Sequence, residues 1–80
     1  MASLRADPAT ITLKEAWAGS LVVTRQNLIT IRLLQYAFGP GFEFDVEGQD
    51  ELWIFRTQRA EMVGARLASL AWDVEPQPSS

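Results

Sequence analysis

The stretch from Asp50 to Ala71 constrains the fold of this chain more than any other part of the sequence. It begins with closely spaced large apolar residues and passes, almost without a linker, into a segment with helical periodicity. Trp53 and Phe55 share one side of a predicted strand over residues 52–57. A strand that leads directly into an amphipathic helix needs an apolar surface to pack on. The rest of the chain should therefore supply a sheet for that helix.

The predicted helix carries an apolar stripe at three- and four-residue spacing. Thr57 has the side chain of a helix N-cap, and Trp72 should end the helix and fold back onto the sheet edge. Gly64 lies on the apolar side, where glycine costs about 1 kcal/mol relative to alanine, so we expect a strand to approach closely there. The stripe consists of Ala60, Val63, Gly64, Leu67, Leu70 and Ala71.

Four further strands are predicted upstream, separated by turn-sized connections that favour antiparallel pairing. The clearest is the one in which Phe42, Phe44 and Val46 alternate with acidic residues. In the strand before it, Ile29, Ile31 and Leu33 should share the core face, and a turn is predicted over residues 37–41. The upstream strands cover residues 10–13, 20–24, 28–35 and 42–47.

These elements predict an α+β fold: a small antiparallel sheet of about five strands closed by one C-terminal helix, a half-barrel. Residues 1–8 are expected to be a disordered lead-in, residues 9–74 a single domain, and residues 75–80 a flexible tail or linker. Of the three tryptophans, at least two should pack in so small a core. They are Trp17, Trp53 and Trp72.

Composition limits the chemistry. The 80-residue chain has no cysteine and no histidine, which removes disulfides, thiolate sites and the commonest general base. Its net charge of −3 disfavours nucleic acid as a partner. The acidic residues near the turn after residue 46 lack the spacing of a calcium-binding loop. We therefore expect no catalysis, no cofactor and no metal. The absence of an apolar run of about 20 residues predicts no membrane span and a cytoplasmic location.

Three segments together resemble the C-terminal half of the pleckstrin-homology-like superfold, which includes bacterial members and phosphotyrosine-binding domains. They are Ile-Arg-Leu-Leu-Gln-Tyr at 31–36, Phe-Glu-Phe-Asp-Val-Glu at 42–47, and Leu-Trp-Ile-Phe-Arg-Thr at 52–57 with the helix after it. Bacterial members of this superfold show a similar Trp-x-x-x-Thr-x-Arg-x-Glu pattern, which is matched here by Trp53, Thr57, Arg59 and Glu61. The resemblance covers residues 28–72. That family has seven strands, so it implies a shortened barrel here, or sheets completed between two chains.

The resemblance also implies a binding edge, because such folds take up peptides along the strand beside the C-terminal helix. The corresponding edge is 30–36, flanked by Val63, Leu67 and Leu70. Arg32 is similar to the family's phosphate-reading arginine, but the second arginine is replaced by leucine, so phosphotyrosine binding is not expected. The predicted contact residues are Arg32, Leu34, Tyr36, Phe38 and Trp72.

The leading hypothesis is thus a non-catalytic interaction module that binds a protein partner at a sheet edge or binds a second copy of itself. The alternative is a structural subunit of a larger assembly, such as a phage or secretion particle. Five of the six arginines are scattered between residues 25 and 66. They predict surface ion pairs, and the competing interpretation is a basic strip for phosphoinositide or nucleic acid. They are Arg25, Arg32, Arg56, Arg59 and Arg66.

Overall fold

The computed structural model describes residues 2–15, 19–37 and 39–76, and these residues contain six strands and one helix. The strands form two antiparallel sheets, in the orders β1-β2-β3 and β4-β5-β6. The α+β class, the antiparallel pairing and the single helix are confirmed, whereas the single five-stranded sheet is wrong. The elements are β1 (Ser3–Ala6), β2 (Thr10–Glu15), β3 (Gly19–Thr24), β4 (Leu28–Tyr36), β5 (Gly39–Val46), β6 (Trp53–Arg56) and α1 (Ala60–Ser69).

The chain changes sheets at the turn between β3 and β4. The Thr24 N–H donates to Asn27 Oδ1 (2.7 Å), and the Asn27 N–H donates to Thr24 Oγ1 (3.2 Å). Asn27 Nδ2 also donates to the carbonyl of Val22 (3.3 Å). Side-chain groups thus occupy main-chain partners that a hairpin ladder would have used. Consistent with this, β3 and β4 are consecutive in the chain but belong to different sheets.

Strand β1 corrects the predicted disordered lead-in over residues 1–8. Ser3–Ala6 pairs in antiparallel register with β2, from Ser3 opposite Lys14 to Ala6 opposite Ile11. Only Leu4 and Ala6 are half-buried in this strand. Two apolar side chains, one of them only a methyl group, give too weak a periodic signal to predict a strand. The strand is formed by main-chain pairing with β2.

Asp7 closes the hairpin between β1 and β2. Its Oδ1 accepts hydrogen bonds from the main-chain N–H groups of Ala9 (2.8 Å) and Thr10 (2.7 Å). Because these bonds favour the ionised carboxylate, they lower the pKa of Asp7 below its ordinary value of 3.8. This aspartate therefore fixes the turn in its charged form.

The core lies between the inner faces of the two sheets and the helix. The alternation predicted for β5 is confirmed, and the rings of Phe42 and Phe44 are fully buried. Trp53 is half-buried, and Trp17 lies outside the described residues. A Cβ placed on Gly64 would lie 3.8 Å from Phe42 Cζ, an ordinary contact distance, so the helix approaches β5 there without requiring glycine. The buried set is Ile11, Leu13, Leu21, Val23, Ile31, Phe42, Phe44, Val46, Ala60, Leu67 and Trp72.

Three local predictions need correction. The register of β4 shifts between Leu28 and Thr30, which turns Ile29 away from the core and leaves it 60% exposed. Strand β5 already begins at Gly39, so the turn predicted over 37–41 is shorter. Thr57 does not cap the helix, which begins at Ala60; its hydroxyl instead accepts the N–H of Arg59 (3.0 Å) in the preceding turn.

The helix ends in a Schellman motif with alanine at the left-handed position. Ala71 has φ = 65°, and its N–H donates to the carbonyl of Ala68 (2.9 Å). The Trp72 N–H reaches back to the carbonyl of Leu67 (2.9 Å). Both Leu67 and Trp72 are buried, which supplies the hydrophobic contact that accompanies this motif. The indole is thereby returned to the core directly from the last turn.

Replacing Ala71 by glycine should stabilise the protein. The left-handed conformation costs an alanine about 1–2 kcal/mol, which exceeds the extra unfolded-state entropy of glycine. We expect Ala71→Gly to raise the free energy of unfolding by about 0.5–1 kcal/mol in urea denaturation. The matched control is Ala65→Gly, in the exposed middle of the helix and outside the motif, which should lower it by about 1 kcal/mol. Equal losses in both variants would contradict the motif.

Candidate functional site

Arg32, Leu34 and Tyr36 lie together on the outer face of β4. They alternate along the strand, so their side chains leave the sheet on the side opposite the buried Ile31. Arg32 forms ion pairs with Glu43 on β5 (Nη1–Oε1, 3.5 Å) and with Glu75 (Nε–Oε2, 3.5 Å). Three of the five predicted contact residues are therefore brought to one surface.

The outer edge of β4 is paired, over a short length, with the chain's own segment after the helix. The Glu75 N–H donates to the carbonyl of Ile31, and the Leu33 N–H donates to the carbonyl of Glu75, both at 2.8 Å. This is a parallel bridge opposite Arg32. It corrects the start of the flexible tail predicted over 75–80. The sequence does contain a feature that predicts an extended Glu75. The next residue is Pro76, and a residue before proline is restricted to extended conformations.

Beside this bridge lies a cavity of about 350 Å³. Its walls come from the turn before β4, from β4 itself and from the residues after the helix. The helix does not flank it as the resemblance implied: Leu67 is fully buried, and Val63 lines a different groove, beside β1. The lining residues are Arg25, Leu28, Ile29, Thr30, Ile31, Trp72, Asp73 and Glu75.

Tyr36 is held against Gly41 on the neighbouring strand. A Cβ at Gly41 would lie 3.0 Å from Tyr36 Cε2, so the glycine makes room for the ring. The hydroxyl is buried and makes no well-formed hydrogen bond within the described chain. Burial, and then the negative charge of Glu43, raise the pKa of Tyr36 above its ordinary value of 10.0; Arg56 opposes this.

Of the other two predicted contact residues, Trp72 does not join this surface. Trp72 is 2% exposed and belongs to the core, so it cannot offer its ring to a partner in this conformation. The reason is the Schellman motif, which turns the indole inward immediately after the helix. Phe38 lies outside the described residues.

Arg25 is the structural centre that the sequence did not reveal. Its Nε (3.0 Å) and Nη2 (2.8 Å) donate to the carbonyl of Pro8, and Nη2 also reaches the carbonyl of Leu70 (2.7 Å). Nη1 donates to the carbonyl of Ala71 (2.7 Å). The guanidinium lies 3.7 Å from the centroid of the Trp72 ring, a cation–π distance. These partners are far away in sequence, so no local pattern marks the residue.

No group of three or more aspartate, glutamate, histidine or cysteine side chains that could hold a metal ion occurs among the described residues. Over the same residues, no helix is long and apolar enough to cross a membrane. Comparison of the chain with protein-family models, with curated proteins and with solved structures gave no match.

Replacing Arg25 by lysine should destabilise the fold. A lysine keeps the charge but lacks the planar fork that spans the carbonyls of Pro8, Leu70 and Ala71. We expect a loss of about 1–3 kcal/mol in the free energy of unfolding. Arg56→Lys is the control, because Arg56 is exposed and its cation–π contact with Tyr36 is longer, at 5.7 Å; it should change stability by less than about 0.5 kcal/mol. Equal effects in the two variants would contradict a clamping role for Arg25.

Replacing Tyr36 by phenylalanine should leave stability at pH 7 unchanged or raise it by up to about 1 kcal/mol, because a buried, unpaired hydroxyl is removed. Because the fold raises the pKa of Tyr36, its proton contributes stability that is complete below pH 10.0 and is lost as pH rises through the folded pKa. Wild type should therefore lose more stability than Tyr36→Phe above pH 10.0. Urea denaturation of both proteins at pH 7 and above pH 10.0 measures this difference in stability. A large loss on substitution at pH 7 would mean that the hydroxyl makes a hydrogen bond.

Proposed function

We propose that this chain is a non-catalytic protein-interaction domain that binds an extended segment of a partner protein along the outer edge of β4. The observation that supports it is the pairing of Glu75 with Ile31 and Leu33, in which the edge already holds an extended segment by main-chain hydrogen bonds. The pleckstrin-homology-like relationship, which is part of this proposal, points to the same edge. We expect the domain to act in the cytoplasm.

The side chains beside the edge give the recognition its chemistry. In strand addition, main-chain bonds provide affinity, and side chains on alternate positions provide specificity. Arg32 already pairs with the carboxylate of Glu75, so a partner segment should place an acidic residue there. Leu34 and Tyr36 follow on the same face and are half-buried. They favour an apolar residue two or four positions away from that acid.

The intramolecular pairing is weak enough for a partner to displace. It consists of two main-chain bonds, each with a net value of about 1 kcal/mol, and one exposed ion pair worth about 0.2–1 kcal/mol. A partner segment that pairs along more of β4 makes more bonds than Glu75 does. Binding then exchanges a short intramolecular strand for a longer intermolecular one.

The proposal is tested by removing the intramolecular pairing of Glu75 with β4 and adding a separate peptide that can pair with the same edge. Glu75→Pro removes the N–H that bonds to Ile31, and should free the edge without touching the core. The probe is a synthetic peptide of residues 73–80 (Asp-Val-Glu-Pro-Gln-Pro-Ser-Ser). Titrating it into the ¹⁵N-labelled variant should shift the amide resonances of Ile31, Leu33 and Gln35, and should shift them much less in wild type, where the linked segment competes.

Glu75→Ala is the matched control, since it keeps the N–H and loses only the ion pair with Arg32. It should behave between the wild type and Glu75→Pro. The core resonances of Phe42 and Phe44 should be the same in all three proteins. Absence of peptide-dependent shifts along β4 in Glu75→Pro, or shifts of equal size over the whole domain, would refute the edge as a strand-binding site.

A further inference from the structure

A second surface shares no lining residue with the cavity beside the β4 edge. A groove of about 570 Å³ separates β1 from α1. Three arginines border it, on β1, before the helix and in its last turn, and the remaining walls are largely apolar. We call it the basic groove; its defining residues are Arg5, Arg59, Arg66, Leu4, Met62 and Val63.

The positive charge of the basic groove is not neutralised locally. The two ion pairs found within the described residues both belong to Arg32. Arg5 does contribute to lowering the pKa of Asp7, but at a longer range than an ion pair. Met62 lines the groove and is 66% exposed, the highest exposure of any large apolar side chain described. In a chain of net charge −3, a surface of this kind fits an acidic partner with apolar residues beside the acids.

The same molecule presents a surface of that chemistry at the edge of its other sheet. Beside the start of β6, acidic and exposed apolar side chains line a cavity of about 400 Å³. Leu52 is 45% exposed and Ile54 is 39% exposed. None of its acidic side chains forms an ion pair within the described residues. We call it the acidic patch; its defining residues are Glu15, Asp50, Glu51, Leu52 and Ile54.

We propose that the acidic patch of one copy docks into the basic groove of the next. Three carboxylates face three guanidinium groups, and Leu52 and Ile54 cover the exposed Met62. Both surfaces lie on strand edges, β1 and β6, that pair with a described strand on one side only, and such edges recruit further chains. Because the two surfaces differ, the contact is head-to-tail and extends into a chain or closes into a ring. The contact uses neither Arg32 nor Glu75, so it can be tested independently of partner binding at the β4 edge.

Sedimentation of the full chain over a range of concentrations tests this. In low salt the average mass should rise beyond that of a dimer, and in about 0.5 M NaCl the apparent dissociation constant should increase about tenfold, because salt screens the charges. A protein that stays monomeric at every concentration in low salt overturns the proposal. So does a mass that stops at a dimer.

Two variants then determine the direction of docking. Arg59→Gln/Arg66→Gln removes two of the three positive charges of the basic groove, and Asp50→Lys/Glu51→Lys reverses two of the three negative charges of the acidic patch. All four residues are exposed, so the fold should be unchanged by circular dichroism. Each variant alone should be monomeric. Mixed together, they should form a 1:1 pair that grows no further, because one intact patch meets one intact groove. A mixture that remains monomeric, or variants that each assemble as wild type does, contradict head-to-tail docking.

Net charge is controlled by Lys14→Gln/Arg56→Gln. Neither residue contributes to the basic groove or the acidic patch as defined above. Removing two positive charges from −3 leaves −5 in this variant and in Arg59→Gln/Arg66→Gln alike. The control should assemble like the wild type. A control that assembles as poorly as the groove variant would attribute the effect to overall charge and overturn the proposed site.

Discussion

The fold depends on one stacked interaction, the guanidinium of Arg25 over the ring of Trp72. Arg25 lies in the turn where the chain passes from one sheet to the other, and Trp72 follows the helix. Trp72 Nε1 donates to the carbonyl of Asp7 (2.8 Å), in the hairpin of the first sheet. One pair of side chains thus ties together the β1–β2 hairpin, the turn between the two sheets and the end of the helix. In an 80-residue chain without disulfides, a connection among three distant segments compensates for a small core.

This connection also explains how the β4 edge is formed. The Schellman motif buries Trp72 and at the same time directs the next residues along β4, where Glu75 pairs with Ile31 and Leu33. The core and the candidate binding surface are therefore built by the same few residues. A function placed on Trp72 itself would require the core to open, whereas Arg32 is exposed and Leu34 and Tyr36 are half-buried on the outer face of β4.

Features carried by local periodicity could be predicted from the sequence. The alternation of Phe42 and Phe44 with acidic residues predicted a half-buried strand, and the spacing of Ala60 and Leu67 predicted the buried side of the helix. The division into two sheets could not be predicted, because it depends on reciprocal side-chain bonds between Thr24 and Asn27 in a three-residue turn.

The candidate site was predictable only in part, for a related reason. The resemblance grouped Arg32, Leu34 and Tyr36 as contact residues, and the alternation of side chains along β4 places them on one face. The role of Arg25 depends on carbonyls 17, 45 and 46 residues away, and the pairing of Glu75 depends on where the helix ends. Interactions between residues so distant leave no periodic pattern.

The main-chain amide of Leu33 gives a direct measure of the pairing at the β4 edge. Its proton is hydrogen-bonded to the Glu75 carbonyl, so its rate of exchange with deuterated solvent reports how often the segment around Glu75 leaves the edge.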